Sequence, residues 1–201
     1  MSSPSSRWFH QGTDPGTIIT LDQPVPSQWK ILEKLNKRNF QAKLIAYQKF
    51  TQQDFSNVPK LLGYKVSTQD KLGLVPDGVA TRLAWEVVPG LRLGDKLGND
   101  PYWTLSAVER EHVRMAFMRA LPQALEKGYG PYTPSLSKLV WLSQTGTLYF
   151  IGYFYGINDE YEDRSNIKIG LEALARYGLA KPSSNEWRNK NWNGDTTGWK
   201  M

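Results

Sequence analysis

Chemistry in this chain has to be built without sulfur and almost without imidazole. There is no cysteine, which removes disulfides, thiolate nucleophiles and zinc-thiolate sites together. The two histidines, His10 and His112, stand too far apart for an H-E-x-x-H helix and are too few for a three-histidine zinc site. No G-x-S-x-G elbow occurs, so a serine triad would have to draw its base from one of these two residues. His112 lies between Glu111 and Val113 in a helical stretch, where a surface position is expected. Four acids cluster at Asp159-Glu160-Tyr161-Glu162-Asp163, but without the D-x-D-x-D-G spacing of a calcium loop, and they read as a solvated turn. No metal site is expected.

Charge suggests few specific partners. The 201 residues hold 25 Lys and Arg against 19 Asp and Glu, a net +6, with 40% hydrophobic and 22% charged residues. Those are globular values, and the length suits one domain or two small lobes around a cleft. Basic residues gather at Lys30, Lys34, Lys37, Arg38, Lys43 and Lys49, and Arg188-Asn189-Lys190 sits between Trp187 and Trp192. No helix-turn-helix, zinc-finger or RNA-recognition signature accompanies them, so nucleic acid is not the expected partner. The opening ten residues lack the apolar core of a secretory signal, and no apolar run approaches the ~18 residues of a membrane helix. A cytoplasmic protein away from the membrane is expected.

The elements that must position any site follow from periodicity. Trp8-Phe9-His10 and Gly16 to Leu21 flank a Gly12-Thr13-Asp14-Pro15-Gly16 turn and predict a hairpin. After Pro24 and Pro26, Ser27 can cap a helix bearing Trp29, Leu32 and Leu35, continued or restarted by Phe40, Leu44 and Tyr47. Leu61 to Val66 and Thr81 to Val88 predict a second antiparallel pair, stopped by Pro89-Gly90. Ser106 to Glu109 forms a capping box, and Val113, Phe117, Leu121 and Ala124 carry one helical face as far as Gly128, with a kink expected at Pro122. Leu139 to Leu142 and Leu148 to Ile151, joined by a turn at Ser143 to Gly146, predict a buried hairpin. Ile167, Leu171, Leu174 and Tyr177 mark a last helix ended by Gly178. The tail from Ser183 to Met201 has no steady period, and its Trp187, Trp192 and Trp199 either cover the body or anchor a partner.

The order of these pieces, strand pair, helix, strand pair ending in Glu86-Val87-Val88-Pro89-Gly90, long helix, loop and short hairpin, resembles the protein-kinase-like fold. It is similar in particular to small fungal kinase-like (pseudokinase) proteins and to aminoglycoside phosphotransferases. The resemblance covers roughly residues 8 to 155. It implies an α+β, reduced two-lobe fold with an antiparallel N-terminal sheet and helix, and a mainly helical C-terminal part. The implied lobes are residues 1–104 and 105–201.

The same resemblance implies that phosphotransfer has been lost. Transfer from ATP needs a phosphate lysine held by a glutamate, a base aspartate, and an asparagine and aspartate on magnesium. Here the turn at Gly12 to Gly16 is not G-x-G-x-x-G, no lysine lies on Thr17 to Asp22, and the helix glutamate position is Lys43. The base position falls on Thr133 and the asparagine on Lys138, or on Pro131 and Leu136 in a register shifted by two. Ile151-Gly152-Tyr153 replaces Ile-Asp-Phe, so the main magnesium ligand is a glycine.

What remains is a cleft with mostly apolar and aromatic borders. By the resemblance, Trp85, Val88, Thr133, Val140, Tyr149, Ile151 and Gly152 contact a ligand, and Glu86, Lys43, Lys138, Tyr153 and His10 are candidates for catalysis. Such a cleft suits a small uncharged organic molecule, with no cofactor needed for a cyclisation, pericyclic step or isomerisation in fungal specialised metabolism. The alternative is a noncatalytic scaffold that docks a protein or a second copy of itself.

Overall fold

In a computed structural model of the chain, residues 18–21, 27–30, 40–69, 71, 78–95, 97–152, 154–156 and 169–201 are described. They form two compact units: residues 1–48 with 60–86, and residues 49–59 with 87–201. The architecture is mixed α+β, with three α-helices and four small antiparallel sheets among the described residues. No helix among them is long and apolar enough to cross a membrane.

The first unit opens with β1 (Ile18–Leu21) paired antiparallel to β2 (Ser27–Lys30), with Ile18 opposite Lys30 and Leu21 opposite Ser27. The hairpin expected between Trp8–His10 and this strand lies outside the described residues. One expectation is corrected: Ser27 begins a strand and caps no helix at Trp29. The β-branched run Ile-Ile-Thr offers a pairing edge, so strand pairing overrides a weak local helical spacing.

The expected helix appears as α1 (Phe40–Gln52), whose first nine residues belong to this unit; Leu44, Ala46 and Tyr47 are buried along it. The second strand pair is β3 (Leu61–Thr68) with β4 (Val79–Trp85), carrying an irregularity between Leu61 and Gly63. β4 ends at Trp85, short of the predicted Val88, although Glu86 N–H still donates to Lys60 O at 3.0 Å. Arg82 Nη1 donates to Ser67 Oγ across the pair at 3.1 Å, while its buried Nε finds no acceptor among the described residues.

The second unit is organised by α2 (Ala107–Glu126). Ser106 caps it as predicted, accepting from Glu109 N–H at 3.1 Å. The Glu109 carboxylate does not close the box on Ser106 but accepts from Trp141 Nε1 at 3.2 Å, so the cap also ties the helix to the sheet. The helix runs on through Pro122, near its end, and Gly128 follows it at φ +86°, a backbone region that suits glycine. Val113, Phe117, Leu121 and Ala124 are buried along one face as their spacing required.

Against that face lies a three-stranded sheet of β5 (Leu91–Arg92), β7 (Leu139–Leu142) and β8 (Thr147–Phe150) in the order β5-β7-β8. The predicted hairpin is present, with Leu139 opposite Phe150 and Leu142 opposite Thr147, turning through Gly146 at φ +64°. Phe117 meets Phe150 with ring centroids 5.8 Å apart, and meets Tyr177 of α3 (Leu171–Tyr177) edge-on at 4.7 Å. Gly178 ends α3 in the left-handed region, as expected. A separate pair, β6 (Tyr129–Pro131) with β9 (Phe154–Gly156), covers Phe50, which touches Tyr129, Phe154 and Phe55.

The C-terminal tail folds back onto this unit. Lys181 and Lys200 form an antiparallel bridge, each N–H donating to the other's carbonyl at 2.9 Å. Arg110 Nε, on α2, donates to Met201 O at 3.2 Å, and Trp187 is buried. Trp192 and Trp199 stack with centroids 5.3 Å apart. Beneath the tail, the fully buried Tyr102 hydroxyl donates to Leu179 O at 2.8 Å and accepts from Arg114 Nη1 at 2.9 Å. Burial pushes this phenol above its ordinary range, and the adjacent Arg114 charge opposes the shift.

Candidate functional site

Three candidate residues of the second unit, Lys138, Ile151 and Gly152, meet at the open end of the β7–β8 hairpin. A tight loop precedes β7, in which Ser135 Oγ accepts from Ser137 N–H at 3.2 Å and Arg92 Nε donates to Ser137 O at 3.1 Å. Those bonds hold a short 3-10 turn, Leu136–Lys138, so that the chain enters β7 in register. Lys138 then faces Ile151, whose N–H donates to Lys138 O at 2.8 Å and extends the ladder beyond Phe150.

Past Ile151 the backbone turns at Gly152 with φ +118°, a conformation that disfavours any side chain. Here the Lys138 side chain runs alongside. A Cβ placed on residue 152 would lie 3.0 Å from Lys138 Cδ and 3.6 Å from its Nζ. The stem of a half-buried lysine thus lines the space next to the bare glycine. The local arrangement offers one ammonium and several backbone groups.

The other candidates differ in what they present. Val140 is buried between Arg92 and Tyr149, its neighbours on β5 and β8. Tyr149 and Ile151 are half-buried, Val88 likewise, and Thr133 is exposed in the loop. Trp85 and Glu86 belong to the first unit, where Trp85 stacks on Tyr47 with centroids 6.0 Å apart and Glu86 is half-buried. His10, Tyr153, the acidic run 159–163 and the side chain of Lys43 lie outside the described residues. His112 is exposed on α2, the surface position expected of it.

Sequence reasoning passed over Arg92, Ser135 and Ser137, which shape the loop. No spacing signal marks them, because Arg92 reaches the loop only through the pairing of β5 with β7. Gly94 belongs to the same set: a Cβ there would come within 2.8 Å of Leu136 Cβ and of Asp100 Oδ1.

Two open pockets lie elsewhere on the second unit. One, of about 480 Å³, is bordered by Gln53, Gln123, Glu126 and Lys127. The other, of about 460 Å³, runs from Ala175 past Lys181 to Arg188. Among the described residues no group of three or more His, Asp or Glu is placed to hold a metal ion. No protein-family model matches the chain, and no curated protein matches it.

Proposed function

We propose that the chain is a kinase-like domain that no longer transfers phosphate and that binds a small, largely apolar organic molecule beside its hairpin. The observation that carries the reading is the lysine stem against Gly152. In the first register of the sequence resemblance these two positions correspond to the magnesium ligands, and they are neighbours in space, as such ligands would need to be. They hold an ammonium and a glycine. An ammonium cannot ligate a divalent cation and glycine has no side-chain donor, so triphosphate-metal chemistry has no side-chain ligand at these two positions. Half-buried Tyr149 and Ile151 supply aromatic and apolar surface of the kind that small-molecule sites use. A reaction served by such surface would run by orientation alone, as a cofactor-independent cyclisation or isomerisation.

The test is a titration of the whole chain against an apolar small-molecule library, followed by tryptophan fluorescence, with magnesium-ATP as the opposing arm. Saturable quenching by a library member and none by magnesium-ATP is expected. Magnesium-dependent ATP binding with labelled phosphate reaching an acceptor would overthrow the reading. The second reading, a noncatalytic scaffold, draws on the exposed side chains of Val87 and Leu97 near β5, which are 90% and 93% accessible. It predicts no response to any small molecule in the same titration.

A further inference from the structure

Three cations of the second unit converge on one indole. Lys181 Nζ lies 4.5 Å from the centre of the Trp103 ring, Lys200 Nζ 5.2 Å and Arg110 Cζ 5.6 Å. The two lysines are also directly opposed in the backbone bridge that closes the tail. Like charges directly opposed on paired strands destabilise, and long exposed side chains are free to part in water. Attraction to the ring relieves that repulsion only weakly at a solvated site.

Three acids close to these cations in sequence have hydrogen-bond partners of their own. Glu109 accepts from Trp141, Glu111 pairs with Arg114, and Asp195 is held by the N–H and hydroxyl of Thr197. Arg110 gives Nη1 to Leu105 O and Nε to Met201 O, which fixes its guanidinium in place. Neither lysine ammonium meets a carboxylate among the described residues. The 460 Å³ pocket includes Lys181 in its border and continues past Ser183, Ser184, Asn185 and Arg188, with hydroxyl, amide and guanidinium groups and no acid among its lining residues.

We propose that this face, Arg110, Lys181 and Lys200 around Trp103, is a binding site for a phosphate-class dianion carried on a small organic molecule. The dianion supplies counter-charge for the two ammoniums and has oxygens to spare for the guanidinium. The adjoining pocket takes the organic part. The site is separate from the hairpin and does not depend on how that region functions.

The experiment measures binding of inorganic phosphate, of adenosine monophosphate and of a single-stranded oligonucleotide lacking terminal phosphates to the full chain at low salt, by calorimetry. Phosphate and the monophosphate are expected to bind saturably, and K181M/K200M to weaken both by about tenfold or more, as loss of two charge-assisted contacts implies. K190M, an exposed tail lysine outside the cluster, is expected to leave them unchanged. Thermal melts of each variant show whether the tail still packs, and the single variant K200M, with a smaller loss, serves if the double variant unfolds. Absence of saturable phosphate and monophosphate binding below about 10 mM overturns the proposal. So does equal weakening by K190M, or binding of the oligonucleotide alone.

Discussion

Removing one oxygen from Tyr102 is the sharpest probe of how the second unit is held together. The hydroxyl has no solvent contact and serves two partners from different parts of the chain, Leu179 after α3 and Arg114 on α2. Phenylalanine keeps the ring and its edge contact with Trp103 at 4.9 Å. It leaves a buried carbonyl and one guanidinium nitrogen without their bond, while Arg114 keeps its contacts to Glu111. A neutral bond contributes about 0.5–1.5 kcal/mol and one to a charged group about 1.5–3, so Y102F should cost about 2–4 kcal/mol. For a chain of this size that lowers the melting temperature by roughly 4–16 °C.

The pH dependence gives a second reading on the same residue. Because the folded state holds this phenol above its unfolded value near ~10, its proton favours the folded chain. That contribution is complete below the unfolded value and is lost as pH rises through the folded one. The urea midpoint of the parent should therefore fall faster than that of Y102F above about pH 10, other titrating groups cancelling in the difference. A loss under about 0.5 kcal/mol, with parallel pH curves, would refute the reasoning that this hydroxyl is buried and doubly bonded.

Two further outcomes concern the same unit. Gly90 sits at φ +122°, and a Cβ there would come within 2.4 Å of Trp141 O, so G90A should lose about 1–3 kcal/mol and loosen the β5–β7 edge, read by denaturant melts and by hydrogen exchange at Leu91 and Arg92. Deleting residues 183–201 removes buried Trp187, the Lys181–Lys200 bridge and the Arg110–Met201 contact; a lower, broader melt is expected, and an unchanged melt would mean that the tail contributes nothing to packing.

Much of the framework was legible from the residues. The α2 helix is written twice over, in Ser106 at its start and in the apolar spacing of Val113, Phe117, Leu121 and Ala124, and local capping and periodicity were enough to specify it. The β7–β8 hairpin was equally readable, because a four-residue apolar run on each side of a Gly-containing turn has few other solutions. Where the local signal was weak, the outcome went to a distant partner. Ser27–Lys30 looks helical beside Trp29 and Leu32, yet pairing with Ile18–Leu21 makes it a strand. Glu109 looks like the second half of a capping box, yet its carboxylate goes to an indole 32 residues away.

The candidate sites divide along the same line. Composition alone excluded thiol and histidine-cluster chemistry, since the necessary atoms are absent from the chain. Sequence also marked Lys138 and Gly152 as the places where a metal ligand would be missing. That the lysine stem runs beside the glycine, and that Arg110, Lys181 and Lys200 meet on Trp103, was decided only when the chain folded. Such contacts join residues far apart in sequence, and their energy depends on the geometry of backbone pairing, which no local spacing encodes.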